Sequence, residues 1–473
     1  MTAADVAPIR LHPENPHYFQ WRGKALALIT SAEHYGAVLN LDFDWRRYLE
    51  TLQRDGMNYT RIFSGSYVEP VGAFGIQRNT LAPAPGRFLA PWARSDTPGY
   101  AGGGNKFDLD RFSPEYLVRL KDFLVATGRR GVVVELTLFC STYSDKQWAV
   151  HPFHPQNNVQ ALAVPDWKKL HTRNNGPAMG YQEKLVRWLV RELNAFDNFF
   201  FEIQNEPWAD NHVMGDFINP YMTDKYGFPN AVEVTTTGSV VWQAQMAAVV
   251  ADEESHFPHK HLIAQNVANF RLPIRLDDLA PGVSIVNFHY AYPEAVVWNL
   301  PLGKVIGYDE SGFAGRADAT YRRQAWNFLF SGGGLFNSLD YSFTIGQEDG
   351  TDVTNRAPGG GSPTLRRQLK VLSDFLHSFD LSKLHPDRGF VKHCPGAIAR
   401  VLSSPGQAYA LYLEGRAPVE LQLDLPAGRW RAEWVNPVDG GILQRLDVDH
   451  AGTIQRLTSP SFTEFVALRI TRL

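Results

Sequence analysis

Cysteine is scarce in this sequence, which holds only Cys140 and Cys394 among 473 residues. Small disulfide-stabilised scaffolds carry a much higher fraction of cysteine, so that class is excluded, and two distant thiols fit a reducing compartment. Long apolar runs are also lacking. No run approaches the roughly 20 residues that a membrane helix needs, and the first residues lack the basic start and apolar stretch of a secretory signal. We therefore expect a soluble cytoplasmic protein without a membrane partner.

A surplus of charge of one sign is absent as well, since 46 basic and 49 acidic residues give a net charge of -3. Nucleic-acid-binding proteins usually show a basic surplus or stripe, so no nucleic-acid partner is expected. Aromatic residues, by contrast, make up 12% of the chain. Most aromatic side chains fill cores, but their faces also stack on sugar rings. The composition is thus a weak indication of a sugar ligand.

Eight short apolar runs predict β-strands, and several of them are apolar at consecutive positions, as in GVVVELTLF and NFFFEI. Such runs are typical of strands that are covered on both faces, as in parallel sheets. The predicted strands are 25–30, 59–63, 131–139, 198–203, 261–264, 284–288, 305–308 and 334–339. Amphipathic stretches between them predict helices at 44–54, 114–127, 179–194, 240–250, 321–330 and 365–379.

This alternation predicts an α/β protein with a (β/α)₈ barrel. A doubly wound open sheet is the rival, but it usually has fewer strands and a phosphate-binding glycine loop. The glycine runs of this chain lack the spacing of such a loop. Two loops after predicted strands, 64–110 and 140–177, are unusually long. Long ordered loops are more often functional than not, and in barrels these loops build the active-site face.

The pattern changes near Leu384, where short strand-like segments punctuated by turn residues replace the helices. This predicts a small C-terminal antiparallel β-sandwich. We expect residues 1–384 to form the catalytic barrel with a short N-terminal extension, and residues 385–473 to form the sandwich. The sandwich is interpreted as a structural brace in preference to a sugar-binding module, because its aromatic residues alternate as core residues do.

Two glutamates follow predicted strands. Glu206 lies in an Asn-Glu-Pro motif after strand four, and Glu310 lies in VIGYDESG at the end of strand seven. Strands four and seven are nearly opposite in an eight-stranded barrel, so the two carboxylates can face each other across its mouth. Two facing carboxylates suit glycoside hydrolysis, at about 5–5.5 Å apart for retention and wider for inversion. The competing interpretation of Glu206 is a carboxylate that caps a helix.

Further polar and aromatic residues follow other predicted strands at the same rim. Arg61, at the end of strand two, could keep a carboxylate ionised, and His289 with Tyr290 after strand six could contact a sugar or a carboxylate. Each has a structural alternative as a buried or rim residue. The remaining candidate substrate-binding residues are Glu33, His34, Tyr35, Asn205, Trp208, Tyr292, Asp340 and Tyr341.

The order of these motifs resembles clan A glycoside hydrolases, in particular the cellulase-like barrels of family five, over roughly residues 20–380. The resemblance implies that Glu206 is the acid/base, Glu310 the nucleophile and Asn205 a ligand of the sugar 2-hydroxyl. It implies a retaining mechanism without metal or organic cofactor. The chain departs from the family pattern after strand eight, where Asp340 and Tyr341 stand in place of a frequent tryptophan.

The sequence therefore favours a retaining glycosidase that acts on small oligosaccharides or chain ends, with a glycoside as its partner and no indication of oligomeric state. The lack of a secretion signal favours small imported oligosaccharides over polymers, and the two long loops favour a pocket because they could wall off one end of a cleft. Two alternatives remain. One is a carbohydrate-binding protein on a decayed barrel. The other is a metal-dependent hydrolase or isomerase, whose activity chelators would abolish.

Overall fold

The barrel is formed by eight parallel strands. The structure is a computed structural model that describes residues 7–210, 213–217 and 231–473. Its barrel strands are β1 Leu28–Ala32, β2 Tyr59–Phe63, β3 Val133–Cys140, β4 Phe199–Asn205, β5 Ile263–Asn269, β6 Val283–His289, β7 Val305–Ser311 and β8 Leu335–Leu339. Consecutive strands pair from β2 to β8, and β8 pairs with β1. The predicted (β/α)₈ barrel is confirmed.

Eight α-helices accompany the strands in the described part of the chain. They are α1 Trp45–Arg54, α2 Pro114–Arg130, α3 Asp145–Val150, α4 Ala178–Leu193, α5 Thr237–Glu254, α6 Pro293–Asn299, α7 Asp318–Leu329 and α8 Pro363–His377. The side chain of Ser113 caps α2 by accepting a hydrogen bond from the backbone N–H of Tyr116, as its position in the sequence predicts. None of the described helices is long and apolar enough to cross a membrane.

The barrel interior is layered along its axis. At the amino ends of the strands lies an apolar layer with one residue from each strand: Leu28, Tyr59, Val133, Phe200, Ala264, Ile285, Val305 and Leu335. A small antiparallel sheet of Arg10–Leu11, Phe19–Trp21 and Lys24–Leu26 packs Phe19 and Trp21 against this layer. The apolar layer and the small sheet close the barrel at the amino ends of its strands. A ligand can therefore enter at the carboxyl ends of the strands.

Both long loops contain secondary structure. The loop after β2 carries a hairpin of Trp92–Pro98 and Asn105–Phe112, and the loop after β3 carries α3. The backbone N–H of Phe107 donates to the carbonyl of Asn157, so the two loops support each other. They form one wall beside the mouth of the barrel.

The C-terminal region is an antiparallel β-sandwich, as predicted. Its strands are β9 His385–Pro386, β10 Val391–His393, β11 Ala397–Ser404, β12 Ala408–Gly415, β13 Glu420–Leu423, β14 Gly428–Val435, β15 Ile442–His450, β16 Gln455–Thr458 and β17 Phe465–Arg472. One sheet has the order β9-β11-β12-β17-β14-β15 and the other the order β10-β13-β16. Trp430 and Trp434 are buried in the core of the sandwich.

Candidate active site

A cavity of about 230 Å³ opens at the carboxyl ends of the barrel strands. Seven residues that the sequence predicts for the site line it: His34, Tyr35, Asn205, Glu206, Trp208, Tyr290 and Glu310. In parallel barrels these strand ends and the loops after them hold the reactive groups. The cavity therefore lies where the fold places catalytic side chains.

Glu206 and Glu310 face each other in this cavity. A carboxylate oxygen of Glu206, one of Glu310 and a ring nitrogen of His289 all lie within 4.8 Å of one another. Both glutamates are largely buried, with side chains 12% and 6% exposed. Because β4 and β7 lie on opposite sides of the barrel, the two carboxylates face each other at this short distance.

Three cavity residues that follow barrel strands adopt a left-handed backbone that non-glycine residues rarely accept. The φ angles are 65° at Tyr35, 48° at Glu206 and 51° at Tyr290. Each residue follows a barrel strand, so the chain bends sharply as it leaves the sheet. Such conformations carry strain of about 1–3 kcal/mol each and cluster at functional sites. The bend directs these side chains into the mouth of the barrel.

Arg61 lies inside the barrel beneath the cavity and forms hydrogen bonds and ion pairs with the carboxylates. Its guanidinium is fully buried and donates to Oε2 of Glu310 at 3.2 Å and to Oδ1 of Asn205 at 2.8 Å. It also donates to Oε2 of Glu202 at 2.5 and 2.8 Å, and it lies 3.3 Å from Oδ2 of Asp309. A fixed guanidinium with this many partners orients Asn205 and Glu310 relative to each other.

His289 carries positive charge between the two glutamates. Its Nδ1 lies 3.1 Å from Oε1 of Glu206 and 3.7 Å from Oε2 of Glu310, and its Nε2 lies 3.5 Å from Oδ1 of Asp309. Burial by itself lowers the pKa of His289, but the charges of Glu310 and Asp309 outweigh burial and hold the pKa well above its usual value. The surrounding carboxylates therefore favour the protonated form of the imidazole.

The two glutamates have opposite pKa shifts. Burial tends to raise the pKa of Glu206, but the hydrogen bond and charge of His289 and the hydrogen bond from Tyr143 bring it below its usual value. Burial and the charge of Glu206 raise the pKa of Glu310, against the opposing charges of His289 and Arg61. Because the carboxylates are so close, the titration of one depends on the charge of the other.

A polar layer lies directly beneath the cavity. Each strand contributes to it the residue two positions after its apolar layer: Thr30, Arg61, Glu135, Glu202, Asn266, Asn287, Gly307 and Asn337. Asn287 donates to Glu135 and Asn266 donates to Glu202, at 2.8 and 2.5 Å. A Cβ at Gly307 would lie 2.1 Å from Oδ1 of Asn287, so only glycine fits there. This layer supports Arg61 from within the barrel.

Four predicted residues stand apart from the cavity lining. Glu33 accepts hydrogen bonds from the backbone N–H groups of Gly36 and Ala37, each at 2.9 Å, and so stabilises the turn after β1. Asp340 accepts from Arg366 at 2.6 Å. Tyr341 stacks on the outer face of His34, with ring centroids 5.6 Å apart, and Tyr292 lies 49% exposed beside Arg271.

Ten residues of the lining were missed at the level of sequence, among them Glu69, Phe74, Tyr143 and Phe313. The hydroxyl of Tyr143 donates to Oε2 of Glu206 at 2.6 Å and accepts from Nδ2 of Asn205 at 2.9 Å. Tyr143 follows β3 by three residues, so its position after a strand was an available signal. Glu69 and Phe74 lie inside the long loop after β2, where no helix or strand pattern in the sequence predicts which side chains face the cavity.

Two clusters combine carboxylates and imidazole in the way that metal sites do. They are Glu202, His289 and Asp309, and Glu206, His289 and Glu310. Arg61 already supplies a cation to Glu202, Asp309 and Glu310. These side chains fit a salt-bridged network better than a metal site.

Comparison with known proteins supports the fold. The chain matches no protein-family model and no curated protein. Among solved structures, it is similar to a protein described as a glycoside hydrolase, with 11% identity, a TM-score of 0.63, and coverage of 98% of this chain and 97% of the other. A family 5 glycoside hydrolase from Bacteroides vulgatus is similar at 11% identity and a TM-score of 0.64, covering 98% and 94%.

The chain has the fold of family 5 glycoside hydrolases. The likeness extends over the barrel and the C-terminal sandwich together, because nearly the whole of each chain is covered. At such low identity it establishes the architecture, and the chemistry has to be argued from the side chains.

Proposed function

We propose that this protein is a retaining glycoside hydrolase that uses Glu206 as acid/base and Glu310 as nucleophile. The observation that carries the proposal is the approach of their carboxylate oxygens to within 4.8 Å across the mouth of the barrel. A separation of about 5–5.5 Å suits direct attack on the sugar, whereas inversion needs about 6.5–9.5 Å to admit water. The distance favours a double displacement.

In the first step an oxygen of Glu310 attacks the anomeric carbon while Glu206 gives its proton to the leaving glycosidic oxygen. The bond between the anomeric carbon and that oxygen breaks, and a glycosyl ester forms on Glu310. In the second step Glu206 takes a proton from water, whose oxygen attacks the anomeric carbon and frees Glu310. The hydroxyl of Tyr290, 3.0 Å from Oε1 of Glu310, and Arg61 stabilise the carboxylate that leaves.

The pKa order of the free site is the reverse of what the first step needs, because a proton bound by the pair would be favoured on Glu310. A bound glycoside reverses this order. Its leaving oxygen is an acceptor beside Glu206 and interacts well only with the protonated carboxyl, while the positive charge that develops on the sugar favours ionised Glu310. Substrate binding therefore moves the proton to Glu206.

The outer part of the cavity offers an apolar surface to the leaving group. Phe74 and Phe313 are 38% and 41% exposed, and their ring centroids lie 6.4 Å apart. Phe74 packs edge-on against Tyr143, which is bonded to Glu206. Because Glu206 protonates the leaving oxygen, this aromatic pair is on the leaving-group side. A small cavity with one such outer surface favours action on chain ends or oligosaccharides.

We further propose residues 1–384 as the catalytic unit and residues 385–473 as its brace, with a cytoplasmic location and a glycoside or oligosaccharide as partner. No nucleic-acid or membrane partner and no cofactor are part of the proposal. The brace is supported by the packing of the sandwich against the barrel, where Trp326 of α7 stacks on Tyr412 of β12 with centroids 5.2 Å apart.

The nucleophile is tested by two substitutions of Glu310. A panel of nitrophenyl glycosides, including furanosides, first identifies a substrate. Glu310→Gln should then lower kcat by about 10³-fold or more, because no covalent ester can form. Azide should restore turnover of Glu310→Gly and yield a glycosyl azide of inverted configuration. Glu254→Gln, which changes a buried glutamate outside the cavity, is the control. A Glu310→Gln protein with normal kcat would refute the assignment.

The same panel separates the alternatives. Binding of glycosides without turnover would support a carbohydrate-binding protein, and loss of turnover with chelators would support a metal-dependent hydrolase. Unchanged activity in chelator is the expected result, because Arg61 and His289 provide the positive charge of the site.

A further inference from the structure

His34 is a buried histidine whose two ring nitrogens have no hydrogen-bond partner among the described residues. Its side chain is 9% exposed and lines the cavity. Two other buried histidines are hydrogen-bonded: Nδ1 of His171 lies 2.8 Å from Asp210, and both nitrogens of His261 have partners. Buried polar groups without partners are unfavourable by about 1–3 kcal/mol, so an unpaired imidazole in a cavity points to an external partner.

Glu69 lies on the same wall of the cavity and is held in place by the loop after β2. Its Oε2 accepts from Nδ2 of Asn79 at 2.5 Å, and its Oε1 accepts from the hydroxyl of Tyr67 at 3.3 Å. The backbone N–H of Glu69 donates to the carbonyl of Leu81 at 2.9 Å. The carboxylate is only 4% exposed and therefore preorganised.

The gap between the two side chains fits a hydroxyl group. Nε2 of His34 and Oε1 of Glu69 are 3.8 Å apart, which is too long for a direct hydrogen bond. A hydroxyl placed beside both can accept from the imidazole and donate to the carboxylate at the same time. A sugar hydroxyl uses one oxygen atom for both purposes.

The position of the pair relative to the reacting groups decides which part of a substrate it can reach. The ring of His34 lies between Tyr35 and Tyr341, with centroids at 5.4 and 5.6 Å. The hydroxyl of Tyr35 donates to Glu310 at 3.4 Å. His34 is thus one aromatic ring from the nucleophile, on the side that holds the sugar under attack.

We propose that His34 and Glu69 form a specificity site that binds a hydroxyl of the sugar attacked by Glu310, and that this sugar is uncharged. The inference rests on the proposed function and deepens it. The described lining residues include Glu69, Glu206 and Glu310 but no lysine or arginine. Arg61 and His289 are already paired with Glu310 and Glu206, so a uronic acid or a sulfated sugar would meet mainly like charge, and a neutral sugar would not.

The test measures kcat/KM on a good aryl glycoside and on its analogues in which each hydroxyl is replaced in turn by hydrogen. In the wild-type protein one analogue should lose about 10- to 100-fold in kcat/KM, the range of a hydrogen bond to a charged group. Glu69→Gln should lower kcat/KM on the parent substrate by a similar factor. On that one analogue, which already lacks the hydroxyl, Glu69→Gln should lower kcat/KM only slightly below the wild-type value. His34→Gln should reproduce this selectivity, and thermal midpoints establish that both variants are folded.

Glu254→Gln is the matched control, since Glu254 and His261 form a buried pair outside the cavity, 2.7 Å apart. In Glu254→Gln, the ratio of kcat/KM on the parent substrate to kcat/KM on the analogue should equal the wild-type ratio. Equal losses on all analogues, or wild-type kcat/KM in both Glu69→Gln and His34→Gln, would overturn the proposal.

Failure of the proposed function gives a different result. If the wild-type protein hydrolyses no glycoside, calorimetric titration with the free monosaccharides of the panel decides the inference. Binding that weakens about 10-fold or more in Glu69→Gln supports the pair as a sugar-binding site. If no monosaccharide binds, or if binding is equal in the wild-type protein and in Glu69→Gln, the pair is refuted as a sugar-binding site.

Discussion

Tyr143 connects three groups of the candidate site at the scale of single residues. Its hydroxyl donates to Oε2 of Glu206 at 2.6 Å, accepts from Asn205 and lies 3.6 Å from Sγ of Cys140. Because Asn205 is itself held by Arg61, the tyrosine joins Glu206, the proposed acid/base, to the guanidinium that contacts Glu310, the proposed nucleophile. Tyr143 is thus a positioning residue for Glu206.

Replacing Tyr143 with phenylalanine removes a hydrogen bond that stabilises the ionised form of Glu206. The pKa of Glu206 should therefore rise, by about half a unit to one unit for one hydrogen bond. Since the first step needs protonated Glu206, the decline of kcat/KM at alkaline pH should move to higher pH by that amount. The measurement is the pH profile of kcat/KM on an aryl glycoside.

Tyr100→Phe is the control for this change, because the hydroxyl of Tyr100 is bonded to the carbonyl of Val150 outside the candidate site. Its pH profile should coincide with that of the wild-type protein. An unshifted profile in Tyr143→Phe, with lower activity at every pH, would mean that the tyrosine supports only the local structure.

At the scale of elements, a side chain helps to close the barrel between its first and second strands. No backbone ladder joins β1 and β2 in the described sheet. Asn58, just before β2, accepts from the backbone N–H of Ile29 and donates to the carbonyl of Ala27, each at 2.8 Å. These are the bonds that a neighbouring strand would otherwise supply. The side chain of Asn58 therefore supplies hydrogen bonds that the backbone of β2 would form with β1 in a continuous ladder.

Asn58→Ala should lower the free energy of unfolding by about 2–4 kcal/mol, because it leaves two backbone groups at the seam unsatisfied. Urea denaturation followed by tryptophan fluorescence measures the change. Asn436→Ala, in an exposed turn of the sandwich where Asn436 bonds to Asp439, should change it by less than about 0.5 kcal/mol. Equal effects of the two substitutions would contradict the role of Asn58 in closure.

At the scale of the whole molecule, the barrel and the sandwich share an apolar contact. Tyr412 of β12 is buried and stacks on Trp326, which also packs against Phe330 and Phe375. Polar bonds surround this contact, such as Arg323 to Glu414 at 2.7 Å. An interface with a stacked aromatic centre and a polar rim couples the stability of its two sides.

Tyr412→Ala should therefore destabilise the barrel as well as the sandwich, by about 3 kcal/mol, the usual loss for a buried aromatic residue. Unfolding should remain a single transition, and thermal loss of hydrolytic activity should move to lower temperature together with it. Ile442→Ala, on a 50% exposed residue at the sandwich edge, should leave both midpoints nearly unchanged. A separate early transition with barrel activity intact would show that the sandwich is independent.

The sequence was a good guide to strands and helices and a weaker guide to side-chain contacts. All eight predicted barrel strands exist, with ends that shift by a few residues, because their apolar runs match a buried parallel sheet. In the C-terminal region the short strands β9, β10 and β16 were missed, since runs of two to four residues carry little pattern. Glu33 and Asp340 lie after strands as candidate ligands do, but both are bonded within turns and loops.

The sequence by itself determined the barrel, the sandwich and the placement of Glu206 and Glu310 on opposite strands, because hydrophobic periodicity and the order of strands are local properties. Only the tertiary structure decided what surrounds these glutamates. Tyr143 and Glu69 come from long loops, and Arg61 reaches Glu310 over 249 positions of sequence. Distances between such residues depend on how loops pack across the barrel, which no local pattern encodes. The electrostatics of the site follow from those distances and therefore from the folded chain.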